Sequence, residues 1–278
     1  MLAYRHARVA KRLVQYTLLI VLAVVMVMPF IWMVSTSLKS LPQVFVYPPQ
    51  WIPAPAVWSN WIEIWLVRPF ARYFFNSFVM IAGIILGQLV VGSLAAYAFA
   101  RLKFPGRNAL FILVLAMLMV PSEVRIIPLY LMASRLNIIN TYIALIIPDV
   151  FSALAIFLLR QYFLTIPRDL DESAIMDGAN HAVILTRLII PMSMPVLATL
   201  TVFISMGSWN ALLWPLIVTN SDNMRVVAVA LAAFSDLYGT NYPMMMTASM
   251  YVTLPTLLLY IMAQRLIVRG VTLSGLKG

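Results

Sequence analysis

Polar residues in this chain punctuate long apolar runs. Residues 13–34 carry no charge over 22 positions and follow Arg5, Arg8, Lys11 and Arg12. A spanning helix needs roughly 20 mostly apolar residues, so this run predicts a first transmembrane helix at about 13–35. It exceeds the apolar region of a signal peptide, about 7–15 residues, and lacks a small-residue cleavage site. Further spans are predicted at about 73–100, 109–132, 142–159, 192–219 and 243–263, which makes six. The expected fold class is therefore an all-α membrane protein. A short N-terminus at 1–12 precedes one transmembrane domain over 13–278, with its longest polar interruption at 160–191.

Charge orients these spans. Lys and Arg are retained on the cytoplasmic side of a membrane. With the N-terminus inside, thirteen of the 19 basic residues fall in inside segments and six outside. Both termini and the 160–191 loop are then expected to be cytoplasmic.

Two spans are irregular. The third has only about 15 uncharged residues, 108–122, before PSEVRIIP brings Glu123, Arg125 and two prolines. At about 1.5 Å per residue that piece is shorter than the hydrocarbon core, so a kink is expected. The fifth carries Trp209, Asn210, Trp214 and Pro215 in GSWNALLWP. Broken helices and polar groups at membrane depth are tolerated where they are buried or line a cavity, so both places are candidate pathway walls. Gly83 and Gly87 form a GxxxG that permits close helix packing. Apart from Glu123 and Arg125 at the irregular third span, Asp149 is the charged residue inside a predicted span, and it reads as a helix-start acid following Pro148. The outer segment 36–72 holds Trp51, Trp58, Trp61 and Trp65 among prolines. A partly helical segment at the membrane–water interface is expected there; a sugar-stacking platform is the alternative.

Composition narrows the function. The chain is 63% hydrophobic and 10% charged, with mean hydropathy +0.95, against about 45–50% and about 25% in soluble domains. Lipid must be the solvent for much of it. The net charge of +10 interrupts apolar runs and forms no basic face, so no nucleic-acid partner is expected. The absence of cysteine removes disulfides, thiolate metal sites and thiol nucleophiles. His6 and His181 lie far apart; Asp177 and His181 share i, i+4 spacing, but two ligands are not a site and no other His or Cys is near, so no metal site is expected. Residues 270–275 begin like a phosphate loop but lack its Lys-Ser or Lys-Thr ending, so no nucleotide site is expected either.

Nearly half the acids gather in one place. Asp169, Asp171, Glu172 and Asp177 fall within nine residues, and the chain has nine Asp and Glu in all. In IPRDLDESAIMDGANHAVILTRLIIP, Pro167 and the first three acids suit a helix start. Gly178 ends or bends that helix, and 182–190 resumes an apolar pattern. Helix electrostatics alone accounts for the acids; an amphipathic helix with a charged rim docking on a cytosolic partner also accounts for them.

The same stretch resembles the EAA motif of the permease subunits of ATP-binding-cassette importers: EAA, three residues, G, nine residues, then I-x-L-P. Glu172, Ser173 and Ala174, then Gly178, then Leu188, Ile189, Ile190 and Pro191 keep that spacing. The departures are Ser173 for Ala, Leu188 for Ile and Ile190 for Leu. NSFVM at 76–80, AYAFARLKFPGR at 96–107, MVPSEVRIIPLY at 119–130, NTY at 140–142 and the tail QRLIVRGVTLSGLKG are similar to the carbohydrate branch, in particular its subunit like the maltose permease G protein.

The resemblance implies the type I importer fold in a bacterial or archaeal plasma membrane. It implies a non-catalytic permease paired with a second permease subunit as a heterodimer. Two ATPase subunits would carry the ATP and Mg, and an extracytoplasmic binding protein would deliver the cargo. The implied coupling residues are Asp171, Glu172, Ser173, Ala174, Asp177, Gly178 and Pro191. Of these, Glu172 and Asp177 would contact the ATPase cleft, Ala174 would pack closely and Gly178 would set the turn. The loop 220–242 corresponds to one that reaches into the binding protein. Asn76, Trp209, Asn210 and Trp214 are the candidate substrate-pathway residues. A sugar or oligosaccharide is the first expectation for cargo. Glycerol 3-phosphate or a related polyol phosphate is second, because PSEVRIIP also resembles that branch. An ion-coupled carrier is the rival class, and the scarcity of intramembrane carboxylates counts against it.

Overall fold

The computed structural model describes the backbone of residues 2–236 and 239–275, with side chains over 11–234 and 241–264. The basic residues Arg5, Arg8, Arg265, Arg269 and Lys277, His6, and the tail motif beyond Gln264 lie outside the described side chains. Among the described residues, fifteen α-helices follow in chain order: α1 (Leu2–Ser37), α2 (Leu41–Val44), α3 (Asn60–Val67), α4 (Phe70–Arg101), α5 (Arg107–Ala116), α6 (Ser122–Arg135), α7 (Tyr142–Val150), α8 (Ala153–Thr165), α9 (Asp169–Met176), α10 (His181–Val183), α11 (Ile190–Met192), α12 (Met194–Trp209), α13 (Leu213–Val218), α14 (Val227–Ala232) and α15 (Tyr242–Gly275). The described residues add a 3-10 turn at Met117–Met119, a π-helical stretch at Ile184–Ile189 and a two-residue antiparallel bridge, Ser235–Asp236 with Gly239–Thr240.

Three stretches are long and apolar enough to cross a bilayer unbroken: Lys11–Ser37, Phe70–Arg101 and Tyr242–Gln264. Three bent pairs bring the total to six if each is one span. Arg107–Met119 and Ser122–Arg135 meet at 101°, where Val120 is extended and Pro121 caps α6. This is the break expected at PSEVRIIP. Tyr142–Val150 and Ala153–Thr165 meet at 45°. That break was not foreseen: Phe151 is extended, and the Ser152 hydroxyl accepts the Ala155 N–H at 3.3 Å to start α8. Asp149 therefore sits at the C-terminal end of α7 rather than at a helix start, which corrects the sequence reading. His181–Met192 and Met194–Trp209 meet at 76°. Pro191 and Pro195, each lacking an N–H, flank that joint, as expected for a kink built by missing helix hydrogen bonds.

The helices group into two compact units, one from residues up to Arg68 plus Leu231–Thr253, the other from Pro69–Ala230 plus the residues from Leu254 onward. In the first unit, Asn60 Nδ2 donates to the carbonyls of Ser37 and Lys39, both at 2.9 Å. Lys39 is buried with its ammonium 4.1 Å from the Trp32 ring centre, and burial lowers its pKa. Trp61 and Trp65 pack edge-on to Tyr251 at 5.2 and 5.0 Å, and the Tyr251 hydroxyl donates to the Trp61 carbonyl at 3.0 Å. Both tryptophans thus pack on Tyr251, Trp65 with one side still open to solvent, whereas Trp58 is more exposed. The segment is partly helical, through α2 and α3, as expected.

The second unit is organised on α4, which packs against α7, α8 and α12. Its buried positions Tyr73, Asn76, Ser77, Met80, Ile84, Gly92, Ser93, Ala96, Tyr97 and Ala100 recur at helical spacing. The GxxxG lies against α7: a Cβ on Gly83 would fall 2.6 Å from Ile146 Cδ1, and one on Gly87 2.6 Å from Val150 Cγ2. Val150 is β-branched and its Cβ lies 3.2 Å from the Gly87 position, so it has little freedom to move aside. Gly87→Ala is expected to cost about 1–3 kcal/mol of stability through overpacking. The check is the unfolding midpoint of the detergent-purified protein, which should drop; an unchanged midpoint refutes the packing role.

Candidate functional site

The acidic stretch folds as two short helical pieces joined by a turn. Asp169, Asp171 and Glu172 occupy the first turn of α9, where carboxylates complement the partial positive charge of unpaired N–H groups. The helix closes in a Schellman arrangement: the Gly178 N–H bonds the Ile175 carbonyl and the Ala179 N–H bonds the Ala174 carbonyl, both at 2.9 Å. That geometry requires a left-handed residue, and Gly178 has φ +81°. Asn180 then caps α10, its Oδ1 accepting the Val183 N–H at 2.9 Å. From α10 the chain continues through the π-helical stretch and α11 to the 76° joint at Ser193.

The seven expected coupling residues divide by environment. Glu172, Ser173, Asp177, Gly178 and Pro191 are exposed, and Ala174 is half-buried. Ser173 Oγ returns to the Asp169 carbonyl at 2.8 Å, which leaves the face open. Beside these acids stand Ile175 and Met176, the latter 87% exposed. An apolar surface rimmed by acids is what a helix docking in a partner's groove presents. Asp171 differs: it turns inward, its Oδ2 2.8 Å from Arg101 Nε, with side chains 13% and 4% exposed. The contact is an ion pair whose Nε–H is not aligned as a hydrogen bond. Arg101 Nη2 instead donates to the Ile166 carbonyl at 2.9 Å, and Arg168 Nη2 to the Ala100 carbonyl at 3.4 Å. The Tyr97 hydroxyl lies 3.0 Å from His181 Nδ1. Sequence reasoning missed Arg101 and Tyr97; their signal was their place in AYAFAR at the end of a predicted span.

The four candidate pathway residues share the second unit but differ in role. Asn76 is fully buried and its amide is fully used. Nδ2 donates to the carbonyls of Asn223 and Arg225, both at 2.8 Å, and Oδ1 accepts from the Tyr142 hydroxyl at 2.6 Å. Trp209 is buried against Phe78 and Phe74, at 5.5 and 5.8 Å, two residues either side of Asn76 on α4. Trp214 donates its indole N–H to the Ala144 carbonyl at 2.9 Å. Asn210 is exposed, donating to the Met206 carbonyl at 2.8 Å. Of the four, Asn210 alone presents a polar group at an exposed position. The loop beginning at Asn220 is pinned to its surroundings: Asn140 Oδ1 accepts from the N–H groups of Asn220 and Ser221 at 2.9 and 3.1 Å, and the Val227 N–H donates to Ser77 Oγ at 3.0 Å.

Comparison with known proteins places this geometry. Residues 88–272 match the family described as binding-protein-dependent transport system inner membrane component. The chain is 37% identical over 207 residues to the arabinooligosaccharides transport system permease protein AraQ of Bacillus subtilis, covering 74% of each chain. It is 35% identical over 249 residues to the sn-glycerol-3-phosphate transport system permease protein UgpE of Yersinia enterocolitica, covering 87% of this chain and 88% of that one. Its fold matches a chain in the crystal structure of a bacterial ABC transporter involved in the import of the acidic polysaccharide alginate. That match has a TM-score of 0.82 at 22% identity, over 91% of this chain and 95% of the other. The family match runs from within α4 into α15 and so takes in α9–α12, and this chain belongs to the binding-protein-dependent transport system inner membrane component family.

Proposed function

We propose that this permease imports a sugar or oligosaccharide by alternating access, driven by ATPase subunits that dock on α9. The observation that carries the reading is the EAA-like spacing realised as structure: an acid-started helix, a Schellman turn at Gly178 and a helical path that reaches α12 through the joint at Ser193. In this mechanism both termini and α9 are cytoplasmic, and a second permease subunit completes the pathway. The chain itself performs no catalysis and binds no cofactor; ATP and Mg reside on the two ATPases. An extracytoplasmic binding protein supplies the cargo, with the loop 220–242 as its contact. ATP biases the cycle only through its different affinity for the two states of the ATPase pair. Glu172, Asp177 and the exposed Ile175 and Met176 transmit that bias, with Gly178 fixing the angle at which α9 leaves the membrane-embedded helices. Asn210 is the residue best placed to meet cargo, with Trp209, Trp214 and Asn76 holding the surrounding helices in position.

Support for sugar cargo comes from the likeness to a permease named for arabinooligosaccharides. The likeness to one named for sn-glycerol 3-phosphate supports a polyol phosphate as the second reading. Equilibrium binding by the cognate binding protein across arabinose oligomers, other sugars and glycerol 3-phosphate separates them. Selective binding of a sugar is expected, and binding of the phosphate alone overturns the cargo assignment. Co-purification of the chain with an ATPase subunit tests the coupling assignment independently.

A further inference from the structure

Covalent continuity joins α9 to α8 on one side and to α12 on the other. The side chains add a third attachment, to α4. Tyr97, Ala100 and Arg101 lie at i, i+3 and i+4 and so share one face of the last turns of α4. Arg101 holds Asp171 on α9 and the Ile166 carbonyl just before it. Ala100 receives Arg168, the residue that precedes α9. Tyr97 reaches His181, the first residue of α10 beyond the Gly178 turn. Both arms of the turn are therefore held by one end of one helix.

The same helix is engaged at its other end. Asn76 and Ser77 hold the loop after α13 through the Asn223 and Arg225 carbonyls and the Val227 N–H. Between Asn76 and Arg101 the helix is unbroken, a length of about 38 Å at 1.5 Å per residue. Gly83, Gly87 and Gly92 press it closely against α7 and α8 midway. A continuous helix clamped at both ends moves as a unit, whereas the α7–α8 and α10–α12 routes each pass through a joint bent by 45° or 76°.

We propose that Arg101 is a positioning residue which clamps the α9–α10 turn to α4, so that α4 links this turn to the 220–226 loop at its far end. The proposal rests on the coupling role of α9 argued above and adds to it the element that receives the motion. Arg101 touches neither cargo nor nucleotide in this scheme; it acts through Asp171.

The test uses the whole transporter, reconstituted with its partner subunits. Removing one charge of a buried pair strands the other, which destabilises; removing both is close to neutral. Arg101→Gln with Asp171→Asn therefore separates stability from transmission. Because Asp171 points inward to Arg101 and lies off the exposed face of α9, the double variant is expected to assemble with the ATPase subunits and hydrolyse ATP at the basal rate. Its stimulation by cargo-loaded binding protein is expected to fall about tenfold, within the usual range of coupling between distant sites. Tyr97→Phe, which removes only the contact to His181, is expected to reduce stimulation about threefold with normal assembly. Full stimulation in the double variant overturns the proposal. If the double variant fails to assemble, Tyr97→Phe decides, and wild-type stimulation there overturns it. A failure of the underlying coupling assignment is read separately, as a wild-type chain that does not assemble with an ATPase at all.

Discussion

Gly178→Val is expected to abolish uptake while the chain still inserts and accumulates. The backbone at 178 has φ +81°, a region that costs an L-residue about 1–2 kcal/mol, and a β-branched residue more. A Cβ there meets nothing within 4 Å, so the variant fails through backbone geometry and not through collision. Relief comes by leaving the left-handed region, which breaks the hydrogen bonds from Gly178 and Ala179 to Ile175 and Ala174. The exit angle of α9 then changes, and its exposed face no longer meets a partner in register. Asparagine tolerates this conformation, so Gly178→Asn is expected to retain most uptake. Labelled-sugar uptake beside an immunoblot of membrane fractions checks both. Valine transporting like wild type, or asparagine failing as badly as valine, would sink the account.

The second large effect is expected at Asn76. Asn76→Asp is nearly isosteric, so it probes hydrogen bonding with packing held constant. As a carboxylate, the new side chain repels the Asn223 and Arg225 carbonyls that the amide now serves. The carboxylate leaves the Arg225 carbonyl without its side-chain donor, while Asn223 keeps the Arg72 Nε–H at 3.0 Å; as an acid the side chain has one O–H for two acceptors. Each buried polar group left without a partner costs about 1–3 kcal/mol. The variant should therefore unfold at a clearly lower temperature in detergent and accumulate poorly. Tyr142→Phe removes only the third bond of the same cluster and is expected to be milder. An unchanged midpoint for Asn76→Asp would falsify the clamp at this end of α4.

The apolar runs made most of the fold legible. The apolar runs at 13–35, 73–100 and 243–263 fall within the unbroken helical stretches Lys11–Ser37, Phe70–Arg101 and Tyr242–Gln264, and the prolines of PSEVRIIP announced the break before α6. The break at Phe151 was hidden, because its signal is a single serine cap within an otherwise apolar run. Asp149 was misplaced for the same reason: without that break its neighbourhood looked like a helix start following Pro148. In the acidic stretch, charge order and Gly178 foretold the helix, its end and its restart. They did not foretell that Asp171 faces inward, because a carboxylate one residue from Glu172 reads alike in sequence whichever way it points. The partner that turns it, Arg101, is seventy residues earlier and looked like an ordinary flanking cation. Asn76 was chosen for its amide, and the structure gives that amide three partners within the protein.

The bent pairs have a consequence for how the chain enters the membrane. Irregular backbone at bilayer depth survives only where protein or water satisfies its N–H and C=O groups. Lys11–Ser37, Phe70–Arg101 and Tyr242–Gln264 satisfy nearly all of theirs, with Pro29 and Pro255 each freeing one carbonyl, and are long and apolar enough to partition into lipid one at a time. The pairs broken at Pro121, Ser152 and Ser193 cannot do so until neighbours close over the breaks. Insertion in two tiers is then the expected order, with α4 entering before the pieces that pack on it. A mutation that loosens the surface of α4 is expected to lower the amount of assembled protein before any transport cycle begins.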